Sequence, residues 1–285
     1  LNSNFDQPFQ KNSSVLAFNG EIYNFRDRST QYTSDTDFLS DEFSALGSKC
    51  LEKLVGMYAG VFFKDNRVTI FRDFYGKKPL YISRENGLTL FSSEVIPLMI
   101  LRSKIGLTNT LSSASMSSYL LGGSVHGFNT LIEEIDEFNS NTRTSFDVAS
   151  SEVLDSQNIF LKTEATDSLP EAEFSDIFSK AVEERSFADH PMAHMFSGGI
   201  DSLAVACALQ NKKSDITLFT LASEHNRDEV SVSIAAAKKL KMKQLVVDAP
   251  IYNSQDIFNS LAKLDHPSAD SSFINIMGIM DEISK

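Results

Sequence analysis

The sequence predicts two successive fold classes: an α+β region built on layered β structure, then an α/β region with a parallel sheet. Three observations carry this. From residue 14 to about 92, short apolar runs of strand length recur between turn signals. From residue 192 onward, strand-like and helix-like segments alternate. Between the two, from about 139 to 170, the chain is polar, rich in Ser, Thr, Asn and Asp, and ends at Pro170. The expected division is a first domain over 1–138, a connection over 139–170, and a second domain over 171–285.

Taken in order, residues 1–14 are polar and irregular, and a strand is expected from Ser14 to Phe18. It runs into Asn19-Gly20-Glu21, and Asn-Gly between apolar runs is by itself the signal of a tight hairpin. Asp35-Thr36-Asp37 precedes Phe38, Leu39, Phe43 and Leu46, a helical spacing with an acidic start at which Asp35 could cap. Residues 57–63 and 67–71 predict paired strands around Lys64-Asp65-Asn66, and 79–83 and 88–92 predict another pair. Short strand-like pieces, Thr144–Phe146 and Glu152–Leu154, interrupt the polar connection. After Pro170, the stripe Phe174, Ile177, Phe178, Ala181, Val182 predicts a helix with one face packed. Strands are expected at 192–196, 216–221 and 244–248, with a helix from Glu229 to Leu240.

The most informative stretch is Phe196-Ser197-Gly198-Gly199-Ile200-Asp201-Ser202, which lies between the strand at 192–196 and a helical run through Leu203, Val205, Ala206 and Leu209. Adjacent glycines permit positive φ and leave no Cβ in the way, so backbone N–H groups can close around a phosphate. The following helix adds its unpaired N–H groups and positive dipole end. Asp201 would repel such a ligand unless a divalent cation bridged them, which points to Mg²⁺. The plain alternative is a strand-to-helix turn capped by Asp201 or Ser202. No Gly-x-x-x-x-Gly-Lys-Ser/Thr occurs, so this is not a P-loop.

Composition narrows the function classes. The 285 residues carry a net charge of −12, so no basic field invites nucleic acid. Apolar residues make up 42%, with 22 Phe and no Trp, so the cores should be rich in phenylalanine. Cys50 and Cys207 are too few for a disulfide framework and fit a reducing, cytoplasmic setting; both are expected to be buried packing residues. No apolar run reaches membrane-spanning length.

The bend resembles the Ser-Gly-Gly-x-Asp-Ser loop of synthetases that cleave ATP to AMP and pyrophosphate. In the first half, Asn19-Gly20-Glu21-Ile22-Tyr23-Asn24, Ser34-Asp35, Gly56-Met57-Tyr58-Ala59, Arg72-Asp73-x-x-Gly76-x-x-Pro79-Leu80-Tyr81 and Ser92-Ser93-Glu94 follow one another in order. Together they resemble the Ntn-type glutaminase (class II amidotransferase) domain of glutamine-hydrolysing asparagine synthetases. The likeness continues through Ser118–Gly122 and Thr130–Ile135 and so covers nearly the whole chain. It implies an oxyanion hole at the Asn19 side chain and the Gly20 backbone, and carboxylates for the glutamine α-ammonium at Glu21 and Asp35. It also implies an ATP site at Met195, Ser197, Gly198, Gly199, Asp201, Ser202 and Leu221, with Asp201 holding magnesium. Met195 and Leu221 read equally well as ordinary core.

The implied activity is amidation of aspartate to asparagine through an acyl-adenylate, with ammonia supplied from glutamine, and a homodimer as a possible assembly. The family's N-terminal catalytic Cys and its early His-Arg-Gly-Pro segment are not in the sequence, nor is its downstream Ser-Gly-x-Gly-x-Asp-Glu block. The chain is therefore expected to lack roughly 40–60 residues of the first domain, judged by usual domain sizes, and part of the second. Natural loss of the glutaminase is the competing explanation. Two other readings stay open. One is a related adenylating ligase of the β-lactam synthetase or lasso-peptide cyclase type, with a degenerate glutaminase. The other is a non-catalytic asparagine-synthetase-like protein.

Overall fold

The computed structural model describes residues 6–28, 32, 34–160, 170–186, 191–210, 216–224, 226–270 and 272–283. The chain forms two compact units, the first running to Glu164 and including Asp265–Ala269, the second holding the remainder.

The first unit begins with β1 (Phe9–Lys11), β2 (Ser14–Ile22), the single turn α1 (Phe25–Arg28) and α2 (Asp35–Leu46). A 3₁₀ stretch, Gly47–Lys53, leads into β3 (Gly56–Lys64) and β4 (Arg67–Arg72). The small pair β5 (Tyr81–Glu85) and β6 (Leu88–Ser92) follows, then α3 (Val95–Lys104) and α4 (Ser113–Gly122). The unit closes with β7 (Asp136–Glu137), β8 (Thr142–Asp147) and β9 (Val153–Asn158). Six strands make one antiparallel sheet in the order β1-β2-β3-β4-β8-β9, and three make a second, β6-β5-β7. Alternation along β2 turns Leu16, Phe18 and Ile22 onto Phe38, Leu39 and Phe43 of α2. Another core packs Ala59, Val61, Ile70 and Phe146 against Leu80 and Phe138. The expected layered β region is present.

Two local readings are corrected. Asn19-Gly20 is no hairpin: β2 continues straight through it, with Asn19 opposite Ala59 and Gly20 opposite Tyr58 on β3. The cap of α2 is Ser34, whose side chain accepts from the Asp37 N–H, which leaves Asp35 free to face elsewhere. The polar connection expected from residue 139 is also displaced. Residues 142–158 form the last two strands of the large sheet, while 161–169 lie outside the described residues. Their polarity is absorbed within the sheet. Thr69 and Ser145 hydroxyls pair at 3.0 Å, Thr144 and Ser156 at 2.9 Å, and Arg143 binds Asp155 at 3.0 Å and Gln157 at 2.9 Å.

The second unit contains α5 (Glu171–Arg185), β10 (Ala193–Met195), α6 (Ile200–Gln210), β11 (Thr217–Ala222), α7 (Arg227–Leu240), β12 (Gln244–Asp248), α8 (Ser254–Leu261) and α9 (Ser272–Ile283). Its three strands are parallel, in the order β10-β11-β12, as the strand–helix alternation predicts. Phe196, Ala206, Leu218 and Ala237 form its core. The apolar stripe on α5 departs from expectation: no described residue of that helix is buried, and Phe174 is 60% exposed. Cys50 is buried as expected, but Cys207 is exposed on the outer face of α6. Among the described residues no helix is long and apolar enough to cross a membrane.

Arg72 and Asp73 fasten the first unit around one corner. The Asp73 carboxylate, 2% exposed, accepts from the backbone N–H groups of Tyr58, Tyr75, Lys77 and Lys78. The Asp73 N–H in turn donates to Tyr58 O at 2.8 Å, so the chain opposite Gly20 is gripped from both sides. Arg72 donates to the carbonyls of Lys78, Phe138 and Gly76 and pairs with Glu137 at 2.6 Å. Replacing Asp73 with Ala strands the buried Tyr58 N–H and frees three half-buried donors of the loop that follows. We expect Asp73→Ala to lower stability by at least about 3 kcal/mol, with Asp73→Asn milder, in urea unfolding. An unchanged midpoint would remove the corner from its organising place.

Candidate functional site

At the end of β2 the chain presents Asn19 and Glu21 on the exposed face, while Gly20 turns toward the core side between them. Gly20 has φ +150°, and a Cβ there would lie 2.1 Å from the Met57 carbonyl oxygen. No side chain fits, so the backbone of β2 runs unusually close to β3 here. Asn24 holds the end of the strand: its amide donates to Lys53 O and its carbonyl accepts from Val55 N–H, both at 3.0 Å. Asp35, released from capping, swings to the same place and accepts from the Ile22 N–H at 3.1 Å. The structure thus gathers Asn19, Gly20, Glu21 and Asp35 at one strand end. Burial pushes the Asp35 carboxyl above its ordinary value of 3.8, against the lowering effect of its hydrogen bonds to Ile22 and Thr36.

The second unit carries the glycine bend. β10 ends at Met195, Phe196 N–H donates to Phe219 O at 2.7 Å, and α6 opens at Ile200 with Leu203 N–H bonded to Gly199 O. Gly198 has φ +81°, a left-handed conformation that suits glycine. Ser197 Oγ accepts from the Gly199 N–H at 3.2 Å and lies 3.2 Å from Ser202 Oγ, which bonds back to Gly199 O. The hydroxyls of Ser197 and Ser202 therefore hold the bend closed on itself, and an incoming anion would compete with Ser197 for the Gly199 donor. Asp201 stands exposed in the first turn of α6. His194, to which the sequence assigned no role, contacts the Ser202 carbonyl at 2.9 Å and ties β10 to α6.

Beside the bend lies a cavity of about 330 Å³, at the lower end of the usual ligand range of about 300–1,000 Å³. Met195, Ser197 and Leu221 line it, together with Asn226, Glu229 and Asn275. Met195 ends β10 and Leu221 is the last residue but one of the adjacent parallel strand β11, and both line this space. Gly198, Gly199, Asp201 and Ser202 lie outside its lining, so Ser197 is where bend and cavity join. Asn226, Glu229 and Asn275 escaped sequence reading. Asn226 just before a helical run was the available signal; its side chain accepts from Ser223 N–H at 2.7 Å and donates to Leu221 O at 2.9 Å. Among the described residues no group of three or more His, Cys, Asp or Glu could hold a metal. Any cation at Asp201 would have to share oxygens with a ligand.

Residues 1–156 match the family model of a glutamine amidotransferase domain, and residues 173–285 match that of asparagine synthase. The chain belongs to the glutamine-hydrolysing asparagine synthetase family. A Mycobacterium bovis protein that carries this family's name provisionally is 27% identical over 95% of this chain and 45% of its own length. Asparagine synthetase (glutamine-hydrolysing) 1 of Bacillus subtilis is 25% identical over 95% of this chain and 44% of its own. The chain thus spans under half the length of these family members. A solved structure, the glutamine phosphoribosylpyrophosphate amidotransferase of B. subtilis with ADP and GMP, covers 94% of this chain and 55% of its own at 13% identity and a TM-score of 0.37.

The raised Asp35 value fixes a sign for stability. A carboxyl whose pKa is higher folded than unfolded contributes stability below the unfolded value and loses it as pH climbs through the folded one. Wild type should therefore lose stability relative to Asp35→Asn as pH rises from about 4 to about 7, followed by urea unfolding of both proteins. A difference that stays constant or moves the other way contradicts the burial of this carboxyl.

Proposed function

We propose that this chain contains the glutamine-recognising and nucleotide-binding parts of an ATP-dependent amidating ligase that converts aspartate to asparagine. The observation that carries the reading is the bend Ser197–Ser202, which opens a helix beside a cavity lined by the ends of two parallel strands. In this reading the bend's backbone N–H groups and the N-terminus of α6 hold the phosphates of ATP. The base lies between Met195 and Leu221. Magnesium, when bound, offsets the charge between Asp201 and the phosphates. Pyrophosphate then leaves as the carboxylate of the acceptor is adenylated, and ammonia displaces AMP.

In the first unit, Asn19 and Gly20 supply donors for the oxyanion that develops when a glutamine amide is attacked. Glu21 and Asp35 receive its α-ammonium. The arriving cation would draw the Asp35 pKa back down, so binding of glutamine should release protons near the acidic end of the stability range. Neither cysteine of the chain is assigned as nucleophile: Cys50 is sealed in the hydrophobic core and Cys207 sits on α6. The family's glutamine, aspartate and ATP are thus the proposed substrates, and a second copy of the chain a proposed partner.

Two measurements test this. With the full-length protein, pyrophosphate release from Mg·ATP should require aspartate and be supported by ammonium or glutamine; release indifferent to aspartate rejects the acceptor. With the 285-residue chain, calorimetry should detect Mg·ATP, and Asp201→Ala should weaken it by at least about tenfold. In EDTA the order should vanish or invert, because the variant has lost a repelling charge. Equal effects with and without magnesium would remove the metal role from Asp201.

A further inference from the structure

The bend does not hold its shape alone. Beneath it, a Cβ built on Gly198 would lie 3.0 Å from the Ser233 Cα and N and 3.1 Å from its Cβ. The loop therefore rests directly on the backbone of α7. Ser233 is fully buried, Thr220 is 3% exposed and Phe196 1% exposed, so the polar atoms among them must satisfy one another.

They do so in one ordered chain. Gln244 on β12 donates from Nε2 to Thr220 Oγ1 at 2.8 Å and to Ser233 Oγ at 2.9 Å. An amide nitrogen has two protons and cannot accept, so both hydroxyls receive from it and must spend their own protons elsewhere. Thr220 donates to the Phe196 carbonyl at 2.5 Å, and Ser233 donates to the Val230 carbonyl at 2.8 Å. Each proton has one destination. The amide of Gln244 thus fixes two supports of the bend at once: the carbonyl two residues before Gly198, and the helix surface below it.

We propose that Gln244, through Thr220 and Ser233, is a positioning residue for phosphate binding at the Ser197–Ser202 bend. This rests on the nucleotide reading of that bend. Gln244 touches no reacting group; it acts by setting the height and tilt of the N–H groups that face the phosphates. Removal of the shared donor leaves the oxygens of two buried hydroxyls without the partner that directs their protons to the Phe196 and Val230 carbonyls, and weakens the hold on the loop.

The test compares two probes, Mg·ATP and adenosine, on the 285-residue chain, with adenosine measured by competition against ATP. Gln244→Leu should weaken Mg·ATP by about tenfold, the effect of about 1.4 kcal/mol, while adenosine affinity stays within about twofold. Thr220→Val and Ser233→Ala, each cutting one branch, should shift Mg·ATP in the same direction by less. These two decide the matter if Gln244→Leu does not fold, as judged by thermal unfolding. A parallel loss of both probes, or no loss of either, overturns the positioning role and leaves the nucleotide reading standing. Failure of wild type to bind Mg·ATP at all rejects the nucleotide reading, and the positioning role with it.

Discussion

Everything in the second unit that bears on chemistry depends on the absence of a side chain at Gly198. The bend can sit on Ser233 only because nothing projects from it, and its left-handed turn is what brings the chain from β10 into the start of α6. Once that contact is made, the rest is constrained. The end of β10 lies beside the end of β11, Ser197 lines the cavity, and Asp201 stands exposed in the first turn of α6. The form of the bend follows from backbone geometry, with the Ser197 and Ser202 hydroxyls holding it.

The first unit solves a similar problem by different means. There too a glycine lets two backbones approach, Gly20 against Met57 and Tyr58. Where the second unit relies on a neutral network of hydroxyls and an amide, the first relies on charge. Asp73 collects backbone donors and Arg72 collects backbone acceptors, side by side in sequence and opposite in sign. Two buried charged groups would be costly if either lacked partners. Here the loop from Asp73 to Lys78 wraps so that its own peptide groups supply most of them.

Much of this could be read from residue order, and the failures have physical reasons. The apolar strands of the large sheet, the helix after Asp35 and the parallel strands of the second unit were visible because burial imposes periodicity on their sequences. The bend was visible because few residue types tolerate its backbone. Strands β8 and β9 were visible only as the pieces Thr144–Phe146 and Glu152–Leu154 and were given to the connection, because Thr142, Arg143, Thr144 and Ser145 look like linker residues and only their cross-strand partners make them sheet. The cap reading of Asp35 failed and Asn226 was missed for a related reason: a short polar side chain can cap, bridge or bind, and the choice is made by a neighbour distant in sequence. The stripe on α5 shows the converse, a pattern that announces burial on a helix whose apolar face stands largely open among the described residues.

The place of β8 and β9 in the sheet has a practical side. A gene divided where composition changes, just after Phe138, would encode a first half whose β4 ends in open air, every second peptide group along it bare. Such an edge recruits whatever strand it meets, usually another copy of itself. Keeping β8 and β9 closes that edge, so a recombinant first half should extend past Asn158 if it is to stay dispersed rather than clump.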